Sequence, residues 1–276
     1  MSLKVDPLKA TIGAKVHLDR EFIRRPETAQ ELLQLLDRHT VLVFPAIGLS
    51  DAEQLALTDA LGRRVNIAAQ IAGRENADEV YQVTLNAGAR IEKEYVFGTY
   101  FWHMDGMTVD IAPPKATILS ARHVSVKGGQ TEFASTRVAY EALSAEEKAE
   151  LEGLRVVHTV TAAVREFAAP EELDAARQRL RHEHPLVATR ANGSRSLVIG
   201  YTADEVVGKS KAEGRAMLAR LLEWTAQPAF TYRHQWSVGD CVIWENTSAL
   251  HRVIPYAQDS GRMMHRTSVA GVERIQ

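Results

Sequence analysis

Apolar residues along the chain follow two periodicities, and these separate it into helices and strands. Residues 26–39 carry leucines at 32, 33, 35 and 36 behind a proline, which predicts a helix with Pro26 near its start. Residues 40–44 (TVLVF) are β-branched and apolar and end at Pro45, so they read as a buried strand. Ser50 and Glu53 stand at capping-box spacing ahead of LALTDAL, with Gly62 as the stop, and predict a second helix. From Tyr95 onward the pattern shortens to strands. Residues 117–126 read as a strand, Gly128-Gly129 as a turn and residues 131–133 as the next strand. Ser144 and Glu147 form another capping box, and residues 210–226 another helix. The charged, alanine-rich stretch 165–183 reads as an inserted helix or mobile cover. Strands resume at 230–233, 241–245, 251–255 and 262–270.

This order gives an α+β chain on a β core, with helices in the first quarter and in a middle insert at about 137–230. No repeat, low-complexity tract or Pro/Gly/Ser-rich linker interrupts it, so a single domain over 1–276 is expected. Composition adds little: 45% hydrophobic and 25% charged residues suit a globular protein. The net charge of −2, without basic clusters among aromatics, argues against nucleic acid as a partner. A lone cysteine, Cys241, excludes an intrachain disulfide and fits a reducing cytoplasm. The N-terminal residues show no signal-peptide pattern, and no apolar run approaches the ~20 residues of a membrane span.

The chemistry lies in His103-Met104-Asp105. On an extended segment, residues two apart point to one side, so an imidazole and a carboxylate can reach one ion. A distant histidine would complete the facial triad of non-haem iron(II) oxygenases. His251, closing the run WENTSALH after an apolar strand, supplies it. Arg262 and Arg266 follow eleven and fifteen residues later, and their four-residue step puts both on one side of a strand. If that side faces inward, two guanidiniums imply an anionic ligand; if outward, they are solvated. The other histidines (17, 39, 158, 182, 184 and 234) lack partners at ligand spacing, while His123 and His265 are expected to face away from the metal.

Taken together, FWHMD (101–105), GGQTEF (128–133), HPLVATRANGSRSLVIGY (184–201), GDCVIWENTSALH (239–251) and GRMMHR (261–266) resemble the taurine dioxygenase and 2,4-dichlorophenoxyacetate dioxygenase family. TVLVFPAIGLS (40–50) adds to the likeness, which runs from about residue 17 to about residue 271. The resemblance implies a double-stranded β-helix, a cupin-like jelly roll, with flanking helices and an inserted lid segment. It implies Fe(II), 2-oxoglutarate and O2, with oxidation of a small organic acid yielding succinate and CO2. His103, Asp105 and His251 match the iron ligands. Thr131 and Arg262 match the pair that holds the distal carboxylate of 2-oxoglutarate. Arg266 matches an arginine that engages the cosubstrate or the acidic group of the substrate, and Trp244 a tryptophan beside the iron, although a core indole fits equally. A homo-oligomer, dimer or tetramer, is the expected assembly.

Departures narrow the substrate. Thr99 stands where taurine-type enzymes carry an asparagine, and RRVNIAAQIAG (63–73) offers no counterpart to their sulfonate-binding histidine. Taurine is therefore not the expected substrate; a bulkier acid is, held by Arg266 with Thr99 and Trp102 beside Phe101, Met107 and Val109. Retention of Asp105 argues against a halogenase. Two rival readings remain: a zinc hydrolase using the same triad, and a non-catalytic metal and 2-oxoglutarate sensor of the same fold. Thr131 and the arginines disfavour the first, because hydrolysis needs no second dicarboxylate. Three intact ligands disfavour the second.

Overall fold

The computed structural model describes residues 3–66, 79–86, 93–165, 173, 175–190, 192–272 and 275. In chain order the elements are β1 (Lys4–Pro7), β2 (Ala14–His17), α1 (Pro26–His39), β3 (Val41–Phe44), α2 (Asp51–Leu61), β4 (Arg64–Val65), β5 (Tyr81–Thr84), α3 (Lys93–Gly98), β6 (Ala116–His123) and β7 (Thr131–Ser135). The middle of the chain forms α4 (Thr136–Glu141), α5 (Ala145–Leu151), β8 (Arg155–Thr159), α6 (Val160–Val164), α7 (Ala175–Gln178), β9 (Arg181–Pro185), β10 (Val187–Thr189), β11 (Arg195–Leu197) and β12 (Ala203–Val206). Last come α8 (Lys211–Thr225), β13 (Thr231–His234), β14 (Cys241–Glu245), β15 (Ala249–Val253) and β16 (Met263–Val269).

The architecture is mixed α and β. An eight-stranded sheet runs β1-β2-β3-β14-β6-β16-β4, with β5 also paired to β16. A three-stranded sheet, β13-β7-β15, supplies the opposing layer. The central strands β3 and β14 are buried along their whole length because both faces of the sheet are covered there. On β14, Cys241 and Ile243 join Leu32, Leu36 and Leu57 of α1 and α2 in one cluster. Their neighbours Val242 and Trp244 instead meet Phe133 and Ala249 of the small sheet, together with Met264 of β16. A separate core beneath α8 gathers Trp102, Met104, Met107, Leu186, Val198 and Leu221.

Local signals account for the helix ends. Pro26 opens α1, and Ser50, Ser144 and Ser210 each make a reciprocal capping box with the glutamate three residues on. Thr40, expected to open a strand, instead caps α1 with φ of 66°, and its carbonyl accepts the Glu245 N–H. That conformation costs a non-glycine residue about 1–2 kcal/mol, which the surrounding sheet must offset.

The stretch 165–183, expected to be an inserted helix or mobile cover, departs from the helical alternative. Its described part is the four-residue α7 followed by strand β9, which pairs with β8 in a three-stranded sheet β12-β8-β9. Residues 166–172 and 174 lie outside the described residues. Arg181 and Glu183 of β9 are exposed and His184 is buried, so the charge pattern marks an exposed strand face, where it had suggested a helical one. Among the described residues, no helix is long and apolar enough to cross a membrane.

Candidate active site

Two peptide hydrogen bonds build the centre of the site. His103 N–H donates to the His251 carbonyl at 3.0 Å, and His251 N–H returns to the His103 carbonyl at 2.9 Å. This single antiparallel bridge pins the irregular 101–106 segment to β15 and sets the two imidazoles side by side, ring centroids 4.1 Å apart and planes tilted by 44°. The expected extended run is therefore confined to His103, because Asp105 already lies in a turn. Gly200 makes the approach possible: with φ of +131°, a Cβ there would stand 3.0 Å from the Trp102 carbonyl oxygen.

His251 owes its place to the turn before it. The Glu245 carboxylate accepts Thr247 N–H at 3.0 Å and both the Thr247 and Ser248 hydroxyls at 2.5 Å, and Arg190 pairs with it at 3.1 Å. That clamp turns the chain from β14 into β15, whose His251 sits opposite Phe133 of β7. The Trp244 ring lies 4.7 Å from that of His251 while also filling the core between the sheets.

His103, Asp105 and His251 are all buried, and one donor atom from each lies within 4.8 Å of the other two. Burial pushes both histidine pKa values down, His251 furthest, so both rings are neutral and can offer a lone pair. His103 Nδ1 lies 2.8 Å from the Phe101 carbonyl; it holds the proton there and leaves the Nε2 lone pair able to coordinate. Burial alone would raise Asp105, but the Arg266 guanidinium beside it holds its carboxyl well below the ordinary carboxylate range. Its Oδ2 accepts Arg266 Nη2 at 2.6 Å and the Thr117 hydroxyl at 3.1 Å, and Asn246 Nδ2 in turn donates to Thr117 at 2.9 Å. Two neutral imidazoles and an ionised carboxylate fit a divalent non-haem metal.

Arg262 and Arg266 both point inward, on the side of β16 that carries Met264, while His265 faces α2 and lies 2.7 Å from Asp51 Oδ1. Arg262 is 3% exposed, yet no carboxylate among the described residues pairs with it. Its guanidinium lies over the Tyr256 ring at 4.8 Å, and Nε donates to the Gly129 carbonyl at 3.3 Å. Burial lowers its pKa from the ordinary arginine value. Such a cation needs an anion to offset its desolvation. Gly128-Gly129, both near φ of +75°, bring the chain against it: a Cβ on Gly128 would sit 1.9 Å from the Pro255 carbonyl oxygen. Thr131, two residues on, is buried and accepts the Trp236 indole N–H at 2.9 Å.

Other expected residues sit elsewhere. The Thr99 hydroxyl donates to the Val96 carbonyl at 2.6 Å, an internal turn bond. Trp102 and Met107 belong to the core beneath α8, and Arg252 lies over the Trp102 ring at 4.6 Å. Sequence reasoning missed Tyr201, which stacks on Phe101 at 5.8 Å and meets His103 edge-on, as well as Tyr256 and Trp236. All three are aromatic residues whose positions carry no periodic signal.

A family profile, "Taurine catabolism dioxygenase TauD, TfdA family", matches residues 4–268. The chain belongs to this family. It is 34% identical to the alpha-ketoglutarate-dependent 2,4-dichlorophenoxyacetate dioxygenase of Cupriavidus pinatubonensis, over 97% of this chain and 98% of the relative. Against an alkylsulfatase of Acinetobacter baylyi the identity is 29%, over 98% and 85%. Among solved structures of TauD/TfdA-type enzymes, AAD-2 in complex with Mn(II) and N-oxalylglycine superposes with a TM-score of 0.84 at 31% identity, covering 99% of each chain.

Proposed function

We propose that His103, Asp105 and His251 hold the iron of this 2-oxoglutarate-dependent dioxygenase, and that Arg262 with Thr131 takes the distal carboxylate of 2-oxoglutarate. The observation that carries the reading is Arg262, a buried cation with no carboxylate partner among the described residues, four residues before the arginine that touches Asp105. An acceptor-only carboxylate is the partner that a guanidinium fork and a hydroxyl donor together select. The AAD-2 structure, holding Mn(II) and N-oxalylglycine, supports it.

Bound iron(II), with 2-oxoglutarate and O2, supplies oxidative decarboxylation to succinate and CO2 and the power to oxidise a C–H bond of the substrate. The chain's own groups position and exclude. The two neutral imidazoles and Asp105 present three donors from one side. Phe133 and Trp244 wall off the buried side of His251, and the Thr117–Asn246 pair fixes the Asp105 rotamer. We read the two packed sheets as the double-stranded β-helix of the family, and the chain as one domain.

For the substrate we propose a small organic acid with an apolar body: Arg266 offers a cation beside the metal ligands, and the stacked Phe101–Tyr201 pair an aromatic surface. The names of relatives that act on 2,4-dichlorophenoxyacetate and (S)-phenoxypropionate are in line with that class. A second reading of Arg266, as charge balance for Asp105 alone, is favoured by their 2.6 Å contact. A cytoplasmic homo-oligomer without nucleic-acid partners remains the working expectation. The test is succinate formation with Fe(II), 2-oxoglutarate and ascorbate across carboxylates, sulfonates and sulfate esters with matched neutral analogues. Acids alone should stimulate turnover; equal turnover of neutral analogues would overturn the substrate class.

A further inference from the structure

Trp236 is 5% exposed and lies in the connection from β13 to β14, away from the metal ligands in sequence. Its indole N–H donates to Thr131 Oγ1 at 2.9 Å, and Thr131 makes no other side-chain hydrogen bond among the described residues. An indole can only donate, whereas a threonine hydroxyl has one proton to give and two lone pairs to receive. With a lone pair taken by Trp236, the hydroxyl proton must find its acceptor elsewhere. The described residues provide none, and a buried donor without an acceptor is unfavourable.

We infer that Trp236 is a positioning residue for 2-oxoglutarate, fixing the Thr131 hydroxyl as a donor aimed at the distal carboxylate; this rests on the cosubstrate role proposed for Thr131. Together with Arg262, whose side chain lies against Gly129 two residues before Thr131, the arrangement offers two donors, a guanidinium and a hydroxyl. Such a pair suits a carboxylate, which only accepts, and disfavours an uncharged terminus.

The indole is not free to turn away. His234 packs edge-on against it at 4.5 Å with the ring planes at 90°. His234 is itself held between Asp240 Oδ2 at 3.1 Å and the Tyr232 hydroxyl at 3.1 Å. Asp240 is anchored by the backbone N–H groups of Ala46 and Ser237, each at 2.9 Å. A chain of fixed contacts thus runs from the β13–β14 turn to the Thr131 hydroxyl.

The experiment compares two ligands in the Mn(II)-loaded protein by calorimetry: 2-oxoglutarate, and 2-oxopentanoate, which has the same carbon chain without the distal carboxylate. Trp236→Phe keeps most of the packing and removes the N–H. It should raise the 2-oxoglutarate Kd by about five- to tenfold, the effect of one hydrogen bond, and leave 2-oxopentanoate within about twofold. In a Thr131→Val background, Trp236→Phe should add nothing further. Replacing Trp236 by benzothienylalanine, which keeps the shape and lacks only the donor, should give the same pattern should the phenylalanine variant fold poorly. Equal weakening of both ligands, or additive losses in the double variant, would show a packing role only and overturn the inference. If Thr131→Val weakens 2-oxoglutarate and Trp236→Phe does not, the inference alone fails; if Thr131→Val has no effect, the Thr131 assignment fails with it.

Discussion

Arg266 Nη2 lies 2.6 Å from Asp105 Oδ2, so the carboxylate offered to the metal is already paired with a cation inside the protein. The contact orients Asp105 and lets it stay ionised in a buried site. Removing it with Arg266→Met should weaken Fe(II) or Mn(II) binding by roughly 10–100-fold, the usual cost of losing a group that orients a ligand. Arg266→Lys should lose less, since it restores charge without the fork. Metal titration of the folded variants checks this, and unchanged affinity in Arg266→Met would leave the contact without a role in metal binding.

Acid should destabilise the metal-free protein through two buried histidines. Burial, then neighbouring His184, pulls His158 down to about 3, and burial pulls His184 to about 4 despite its bond to the Met107 carbonyl. Both return to about 6.5 in the unfolded chain. Unfolding therefore takes up protons between these limits. The stabilising contribution is fully present above pH ~6.5 and is lost as pH falls toward ~4 and then ~3, on the order of several kcal/mol in all. The fall in Tm between pH 7 and 4.5 should be shallower in His158→Gln than in the parent; equal slopes would mean that His158 charges in the folded state.

Gly128→Ala should be costly for a local reason. Its φ of +72° disfavours a side chain, and the added Cβ would meet the Pro255 carbonyl oxygen at 1.9 Å. The left-handed cost and the clash together should exceed about 2 kcal/mol. Displacement of 255–256 would also move Tyr256 off Arg262. Denaturant unfolding and 2-oxoglutarate affinity should both suffer; a variant as stable as the parent would contradict the described turn.

How much of this was legible in the sequence depends on whether a signal is local. Ser50–Glu53 and Ser210–Glu213 cap helices that start where the spacing placed them. Apolar runs such as 241–245 mark central strands covered on both faces. The middle of the chain was less legible, because β9 is a short strand with exposed Arg181 and Glu183, and alternating charge over five residues resembles a helix face. At the site, residue types identified the candidate donors, but a single backbone bridge between His103 and His251 brings them together, and no spacing rule encodes it. Thr99 and Trp102 were expected as substrate contacts from their proximity in sequence to His103, which says nothing about which way a loop side chain turns. Trp236 escaped notice because its donor lies among core aromatics, where size alone explains an indole.

The most direct measurement is a 2-oxoglutarate titration of the protein under anaerobic conditions, with and without Fe(II), in the parent, Arg262→Met and His251→Ala. Binding in the parent should tighten with iron. Arg262→Met should weaken it by at least about a hundredfold, because truncation leaves a buried carboxylate unpaired at a cost of roughly 3–5 kcal/mol. His251→Ala should lose the iron dependence while keeping the fold. Binding that ignores iron in the parent, or an Arg262→Met variant with the parent's affinity, would contradict the central claim that this buried arginine and the two histidines with Asp105 form one cosubstrate and metal site.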